Sequence, residues 1–299
     1  MGFMSAIKAN KALRFQKSKN YAEATILYEE AFAEGLKDPR YMLPYALMII
    51  REGQYEKAKD FLVANQKMQM SPGQRTEMLV YYATCCFRLG AIDKGINTLE
   101  QQFRKGETGL LYQTLGYLYV EKYDRAHRPD FEALKAEREA AEAALQAEKE
   151  AEAEDAEETA AEESTEAPEA SGEPVEETTA PALTPEEEWN AGVEKAEAFV
   201  QKAVEYDDED AVSLDNMAEF LYRVKGDKAA AKEWFDKAIA VKENQIDTLY
   251  FLSRYDLEAG NKEAALAKLE KALEGRFSPL NYSSQEMIRA EIEQLKGAL

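Results

Sequence analysis

Side chains able to do covalent or metal chemistry are few in this chain. Of 299 residues one is a histidine, His127, and two are cysteines, Cys85 and Cys86, which are adjacent. Neighbouring cysteines make a poor framework for structural disulfides, which points to a reducing compartment. With one histidine and no Cys-x-x-Cys, the usual zinc donor sets cannot be assembled. Both cysteines read as small, semi-apolar helix residues. Cys86 falls on a packing position and is expected to resist thiol reagents, whereas Cys85 lies about 100° round the helix. His127 precedes Arg128-Pro129 and reads as an exposed loop residue. The glycines are scattered between periodic runs rather than gathered into a phosphate-cradling loop.

Carboxylates are plentiful, with 58 Asp and Glu against 37 Lys and Arg, a net charge of −21. Between Phe131 and Glu188 stand 21 acidic and 3 basic residues, so this segment carries −18 and the other 241 residues only −3. In so solvated a run nothing raises a carboxylate pKa toward a catalytic value. The spaced oxygen donors and glycine of a calcium loop are also missing. No catalytic residue, metal or cofactor is therefore expected. The charge disfavours nucleic acid and anionic membranes as partners. The longest mainly apolar run, Tyr41 to Ile50, is ten residues and contains Pro44. A membrane span needs about 20, so no membrane insertion is expected. The N-terminus lacks the apolar core of a secretory signal, and Ala6 stands where a myristoylation motif on Gly2 would want Ser or Thr. A cytoplasmic protein is the expectation.

The remaining residues must be positioned by helices. Ala, Leu, Glu and Lys dominate, and strand-like alternation is scarce. Ser71-Pro72-Gly73-Gln74 and Thr184-Pro185-Glu186-Glu187 each offer a capping hydroxyl, proline at the first helical position and a reciprocating Gln or Glu. Ser283 with Glu286 repeats the box without proline. The run Asn20-Tyr21-Ala22-Glu23-Ala24, with Tyr28 and Ala31, recurs 34 residues on as Gln54-Tyr55-Glu56-Lys57-Ala58, with Leu62 and Asn65. Likewise Ala231, Phe235 and Ala238 are followed 34 residues later by Ala265, Leu269 and Ala272. Small residues let neighbouring helices approach and the bulky one fills the gap. Each helix pair cannot bury its apolar face alone, so the pairs must stack.

These residues resemble the tetratricopeptide repeat family over most of residues 5 to 277. The resemblance implies an all-α, right-handed α-solenoid of about six helix-turn-helix units. Repeats one to three and the first helix of repeat four take 5–123, with Gly95 where the family usually has alanine. An acidic insertion, 124–184, replaces the turn inside repeat four. Its Phe131–Glu163 part is expected to be a lone helix, and Ser164–Thr184 to be disordered. The second helix of repeat four, marked by Ala196, Val200 and Ala203, and repeats five and six take 185–282. A capping helix takes 283–299, with Met287, Ile288, Ile292 and Leu295 on one face.

In this family the first helices of successive repeats line a concave groove that holds a peptide. Carried over, the candidate peptide-binding set is Lys17, Arg40, Leu47, Ile50, Arg51, Phe87, Arg88, Tyr117, Tyr222, Tyr250 and Arg254. Leu43, Val80, Val120, Asp215, Glu219, Arg223 and Asp247 face the same groove on this reading. Aromatic and aliphatic anchors beside arginine suit peptide recognition. The Lys and Asn clamp with which some members grip chaperone tails is broken here: Asn10 matches, but Pro44, Glu77 and Tyr81 stand at other clamp positions. The expected function is a non-catalytic protein-interaction scaffold or adaptor with a protein or peptide partner, the alternative a peptide-sensing regulator. The acidic insertion, tethered mid-solenoid, is read either as a solubilising spacer with no contact or as a weak competitor, by charge, of an acidic or amphipathic partner peptide at the basic end of the groove.

Overall fold

The computed structural model describes residues 3–162 and 183–297, and the regular elements among them are all helical. Pairs form between α1 (Phe3–Lys17) and α2 (Tyr21–Ala33), α3 (Pro39–Arg51) and α4 (Tyr55–Asn65), and α5 (Pro72–Arg88) and α6 (Ile92–Phe103). Helix α7 (Gly109–Tyr123) is followed by α8 (Phe131–Glu162) and α9 (Pro185–Tyr206). Then come α10 (Ala211–Glu219), which widens into a π-helical turn over Phe220–Lys225, α11 (Lys228–Val241), α12 (Ile246–Glu258), α13 (Lys262–Leu273) and a final α14 (Gln285–Gly297). None of the described helices is long and apolar enough to cross a membrane.

The repeating small–large–small triplets are what hold the pairs together. Ala24, Tyr28 and Ala31 on α2, Ala231, Phe235 and Ala238 on α11, and Ala265, Leu269 and Ala272 on α13 are all fully buried. Removing a phenylalanine or leucine from water in this way stabilises by roughly 1.5–3 kcal/mol each. On α9, Ala196, Val200 and Ala203 take the same role, and Phe199 packs on Tyr112 and Tyr119 of α7 at 5.5 and 5.3 Å between ring centroids. Gly95 on α6 has a steric reason: a Cβ there would sit 3.0 Å from the Ala83 carbonyl oxygen of α5. Cys85 and Cys86 are both buried, so the helix step between them does not bring Cys85 to the surface. Burial pushes the Cys85 thiol up to about 12.

The turns between paired helices close by a backbone bond from the residue after the turn to the carbonyl five positions earlier, as in Gln54→Ile49, Ala91→Cys86 and Asn261→Asp256, or six positions earlier after the π-helical turn, Asp227→Leu221. This geometry requires a left-handed residue. Gly53, Gly90, Gly226 and Gly260 supply it at φ 74, 79, 76 and 79°. In the first pair the same place is held by Lys19 at φ 63°, with Asn20 N–H bonded to the Phe15 carbonyl. A side chain there costs about 1 kcal/mol of strain.

Ser71 and Gln74 form the reciprocal cap expected of them, as do Thr184 and Glu187. At α14 the expectation is corrected. Ser284, not Ser283, accepts the Met287 N–H at 3.1 Å, because the helix begins one residue later, at Gln285. Ile288 and Ile292 bury the inner face of α14 against the last pair.

The chain divides into two compact units, residues 1–125 with 196–299, and residues 126–195. In the second, α8 is not alone: Phe131 meets Trp189 edge-on at 6.2 Å, and Arg138 pairs with Glu188 at 2.5 Å. Beyond these contacts its described side chains are mostly exposed. The stretch read from sequence as disordered falls, up to residue 182, outside the described residues.

Candidate binding groove

In the first unit, the first helices of successive pairs face a common cavity of about 420 Å³. Leu47 and Ile50 come from α3, Val80 from α5, Tyr117 from α7, Asp215 and Glu219 from α10, and Asp247 from α12. The apolar members lie toward the N-terminal pairs and the carboxylates toward the C-terminal ones.

A non-helical strap, residues 274–284 between α13 and α14, lies along this groove. Arg88 on α5 donates from Nε to the Pro279 carbonyl at 2.7 Å and from Nη2 to the Asn281 carbonyl at 3.4 Å. Tyr117 Oη donates to the same Asn281 carbonyl at 3.2 Å. From the other side, Asp247 accepts four bonds. Its Oδ2 takes Asn281 Nδ2 at 2.7 Å and Tyr282 N at 3.1 Å, and its Oδ1 takes Ser283 N at 3.0 Å and Ser283 Oγ at 2.6 Å. Ser283 is thus engaged with Asp247 rather than with α14.

Beneath the strap sit the buried carboxylates. Asp215, Glu219 and Asp247 each place an oxygen within 4.8 Å of the others. Asp215 accepts from Thr248 Oγ1 and from Gln245 Nε2 at 3.3 Å. Arg223, turned inward by the π-helical turn, meets Glu219 at 2.6 Å, Glu121 at 2.8 Å and Asp124 at 2.8 Å. Its guanidinium lies 4.1 Å from the Tyr282 ring centroid, a cation–π contact with the strap. Burial opposes the Arg223 charge, but Glu219, Glu121 and Asp124 outweigh it and hold the group protonated. Burial, reinforced by the Asp247 charge, pushes Asp215 up to about 7. Burial raises Glu219 and Asp247 as well. Such a cluster can hold protons or accept a cationic group.

A pH dependence follows. Between about pH 4 and 7 folded Asp215 keeps a proton that the unfolded chain has lost, so this group's stabilisation is complete below about 4 and is lost as pH rises through about 7. Lowering the pH from about 8 to about 5.5 should therefore raise the melting temperature, and Asp215→Asn should shrink that rise. An undiminished rise in the variant would assign the effect to other groups.

The residues expected to bind separate into three sets. Leu47, Ile50 and Tyr117 line the 420 Å³ cavity, and Phe87 meets Tyr117 edge-on at 5.7 Å. Lys17, Arg51 and Arg88 line a second opening on the N-terminal side of the strap. Tyr222, Tyr250 and Arg254 line neither cavity. Tyr222 packs on Phe251 at 5.0 Å, while Tyr250 and Arg254 both bond Glu291 of α14. Arg40 also lines neither, since it pairs with Asp38, the N-cap of its own helix, at 2.6 Å. The strap itself was missed. The signal that could have found it is the run of Phe277, Pro279 and Leu280, which gives that connection an apolar character unusual for a solvated loop.

Over residues 17–102 the sequence matches the family described as anaphase-promoting complex, cyclosome, subunit 3. No curated protein sequence matches the chain. Among solved structures, a thermophilic TPR protein of Thermus thermophilus superposes with a TM-score of 0.55 at 14% identity, covering 87% of this chain and 99% of that one. PilW, a widely conserved type IV pilus biogenesis factor, gives 0.55 at 13% identity over 98% and 100%. The human IFIT1 dimer with m7Gppp-AAAA gives 0.55 at 16% identity, covering 96% of this chain but 53% of that one, so this chain spans about half of that protein. At these identities the likeness is one of fold. Together with the 34-residue spacing of the buried triplets and the recurring left-handed turns, it gives the chain a tetratricopeptide-type helical-repeat fold.

Proposed function

We propose that this chain is a non-catalytic scaffold or adaptor that holds a peptide or protein partner along the groove formed by its first helices. The tetratricopeptide fold suggests protein interaction in general. The observation that supports the groove as the place is the strap. A stretch of non-helical backbone already lies there, its carbonyls taken up by Arg88 and Tyr117, which is the chemistry that peptide recognition needs. Leu47, Ile50, Phe87 and Tyr117 offer apolar and aromatic anchors beside it. Since Asp247 fastens the strap and belongs to a titrating cluster, a regulator in which a bound peptide shifts the strap is the second reading. For the acidic insertion two roles stay in the proposal, a solubilising spacer or a weak competitor of the partner peptide. Arg51→Glu combined with Phe87→Ala should lose the partners that the wild-type chain retains in affinity purification from its native cell. Recovery of the same partners by both would overturn the groove assignment.

A further inference from the structure

On the N-terminal side of the strap lies an opening of about 1230 Å³ whose charge is poorly balanced. Arg51 ends α3 and Arg276 rides on the strap, and both line this space. Neither makes an ion pair with a described residue. Burial and the Arg276 guanidinium together hold Arg51 below its ordinary value, although both residues are exposed at this opening. An anion entering the opening would offset that like-charge repulsion.

The second observation concerns Lys19, which also lines the opening. It stands at the left-handed turn position that glycine occupies in four other helix pairs. Glycine 34 residues on, at Gly53, meets the same backbone demand without strain. A lysine in that conformation, near Lys17 in sequence and lining an opening that already holds the guanidiniums of Arg51, Arg88 and Arg276, adds charge at a conformational cost. Three carboxylates also line the space. Of these, Glu286 is committed to the start of α14, where its own backbone N–H and Ser284 hold its carboxyl below the usual range, while Glu52 accepts from Gln54.

We propose that this opening binds an acidic peptide segment, whose carboxylates are shared between Arg51 and Arg276 and drawn in by Lys17 and Lys19. The inference rests on the groove reading and names the partner's chemistry. A peptide is favoured over a nucleic acid because the tetratricopeptide-type fold points to protein partners in general. Arg276 makes the site composite: the strap, fixed by Asp247, supplies half of the guanidinium pair.

The test uses the full chain and a fluorescein-labelled peptide of about twelve residues alternating glutamate and leucine, with a glutamine-for-glutamate peptide and single-stranded RNA of similar length as comparators. At low salt the glutamate peptide should bind at least about tenfold more tightly than the glutamine peptide, and the difference should shrink by physiological ionic strength. Arg51→Gln/Arg276→Gln should weaken the glutamate peptide by about tenfold or more. Lys19→Gly should weaken it by about threefold while raising the melting temperature by about 2 °C, a pairing that a purely structural lysine would not produce. Equal affinity for the two peptides, or binding unchanged in the double variant, would overturn the acidic-peptide inference. So would RNA binding more tightly and lost in the same variants. If both peptides bind equally and Phe87→Ala weakens both, the groove reading survives and this inference alone fails. If neither binds, the inference also fails, and the groove reading stands or falls on partner capture.

Discussion

Replacing Arg223 by alanine is expected to lower stability by about 3–5 kcal/mol, the cost of stranding buried carboxylates whose partner is removed. Its side chain is 4% exposed and stands between Glu219, Glu121 and Asp124. At about 2–4 °C per kcal/mol for a chain of this size, the melting temperature should fall by about 10 °C. Part of the loss can be relieved by protonating the stranded acids, so the fall should be larger at about pH 8 than at about pH 5. Arg223→Lys keeps the charge but not the planar fork that reaches three carboxylates, and should lie between the two. A loss below about 1 kcal/mol in the alanine variant would mean that the network is solvated in solution. Tyr282 would also lose the cation beneath its ring, loosening one edge of the strap.

Asp247→Ala should act on the strap more directly. It removes the acceptor for the backbone N–H groups of Tyr282 and Ser283 and for the side chains of Asn281 and Ser283. Bonds to a charged acceptor contribute about 1.5–3 kcal/mol each, and buried donors left unmet cost a comparable amount. Removing a carboxylate from beside Asp215 relieves repulsion and offsets part of this. A net of about 2 kcal/mol against strap docking should speed hydrogen exchange at Tyr282 and Ser283 by about 30-fold, at a factor of ten per 1.4 kcal/mol. Exchange in the middle of α11, whose triplet Ala231, Phe235 and Ala238 is buried and whose amides bond within the helix rather than to Asp247, should change far less. Equal acceleration at both places would show global destabilisation rather than release of the strap.

The repeat architecture was legible because stacking imposes one requirement again and again. A helix pair that must approach its neighbours needs a small residue, a large one and a small one at helical spacing, and Ala231, Phe235 and Ala238 state that demand as plainly as Ala265, Leu269 and Ala272. Gly95 looked like a departure and is the same demand carried further, since a methyl group there would crowd the Ala83 carbonyl at 3.0 Å. Cys85 was not legible from its helix step, because both faces of α5 are covered and burial does not follow a single stripe there.

The groove was legible only in part. Leu47, Ile50 and Tyr117 could be placed by position within their first helices. Arg40 could not, because a cap carboxylate two residues away, Asp38, captures it locally. The strap depends on bonds between residues 191 apart, which no local pattern announces. Asp215, Glu219 and Asp247 carry the residue types of a surface, yet they are buried, because hydroxyl, amide and guanidinium donors from the strap, α12 and α10 meet them inside. Lys19 was legible in principle: aligning the repeats sets it against Gly53, and a lysine at a glycine position is a signal of its own.

The most direct test of the groove is photocrosslinking in the native cell, with benzoylphenylalanine placed singly at Ile50, Phe87 and Tyr117, and at Val63, which is exposed on α4 outside both cavities. The account predicts that the inner positions form adducts with a common partner and that Val63 does not. Adducts from Val63 to a partner that none of the inner positions reaches would contradict it.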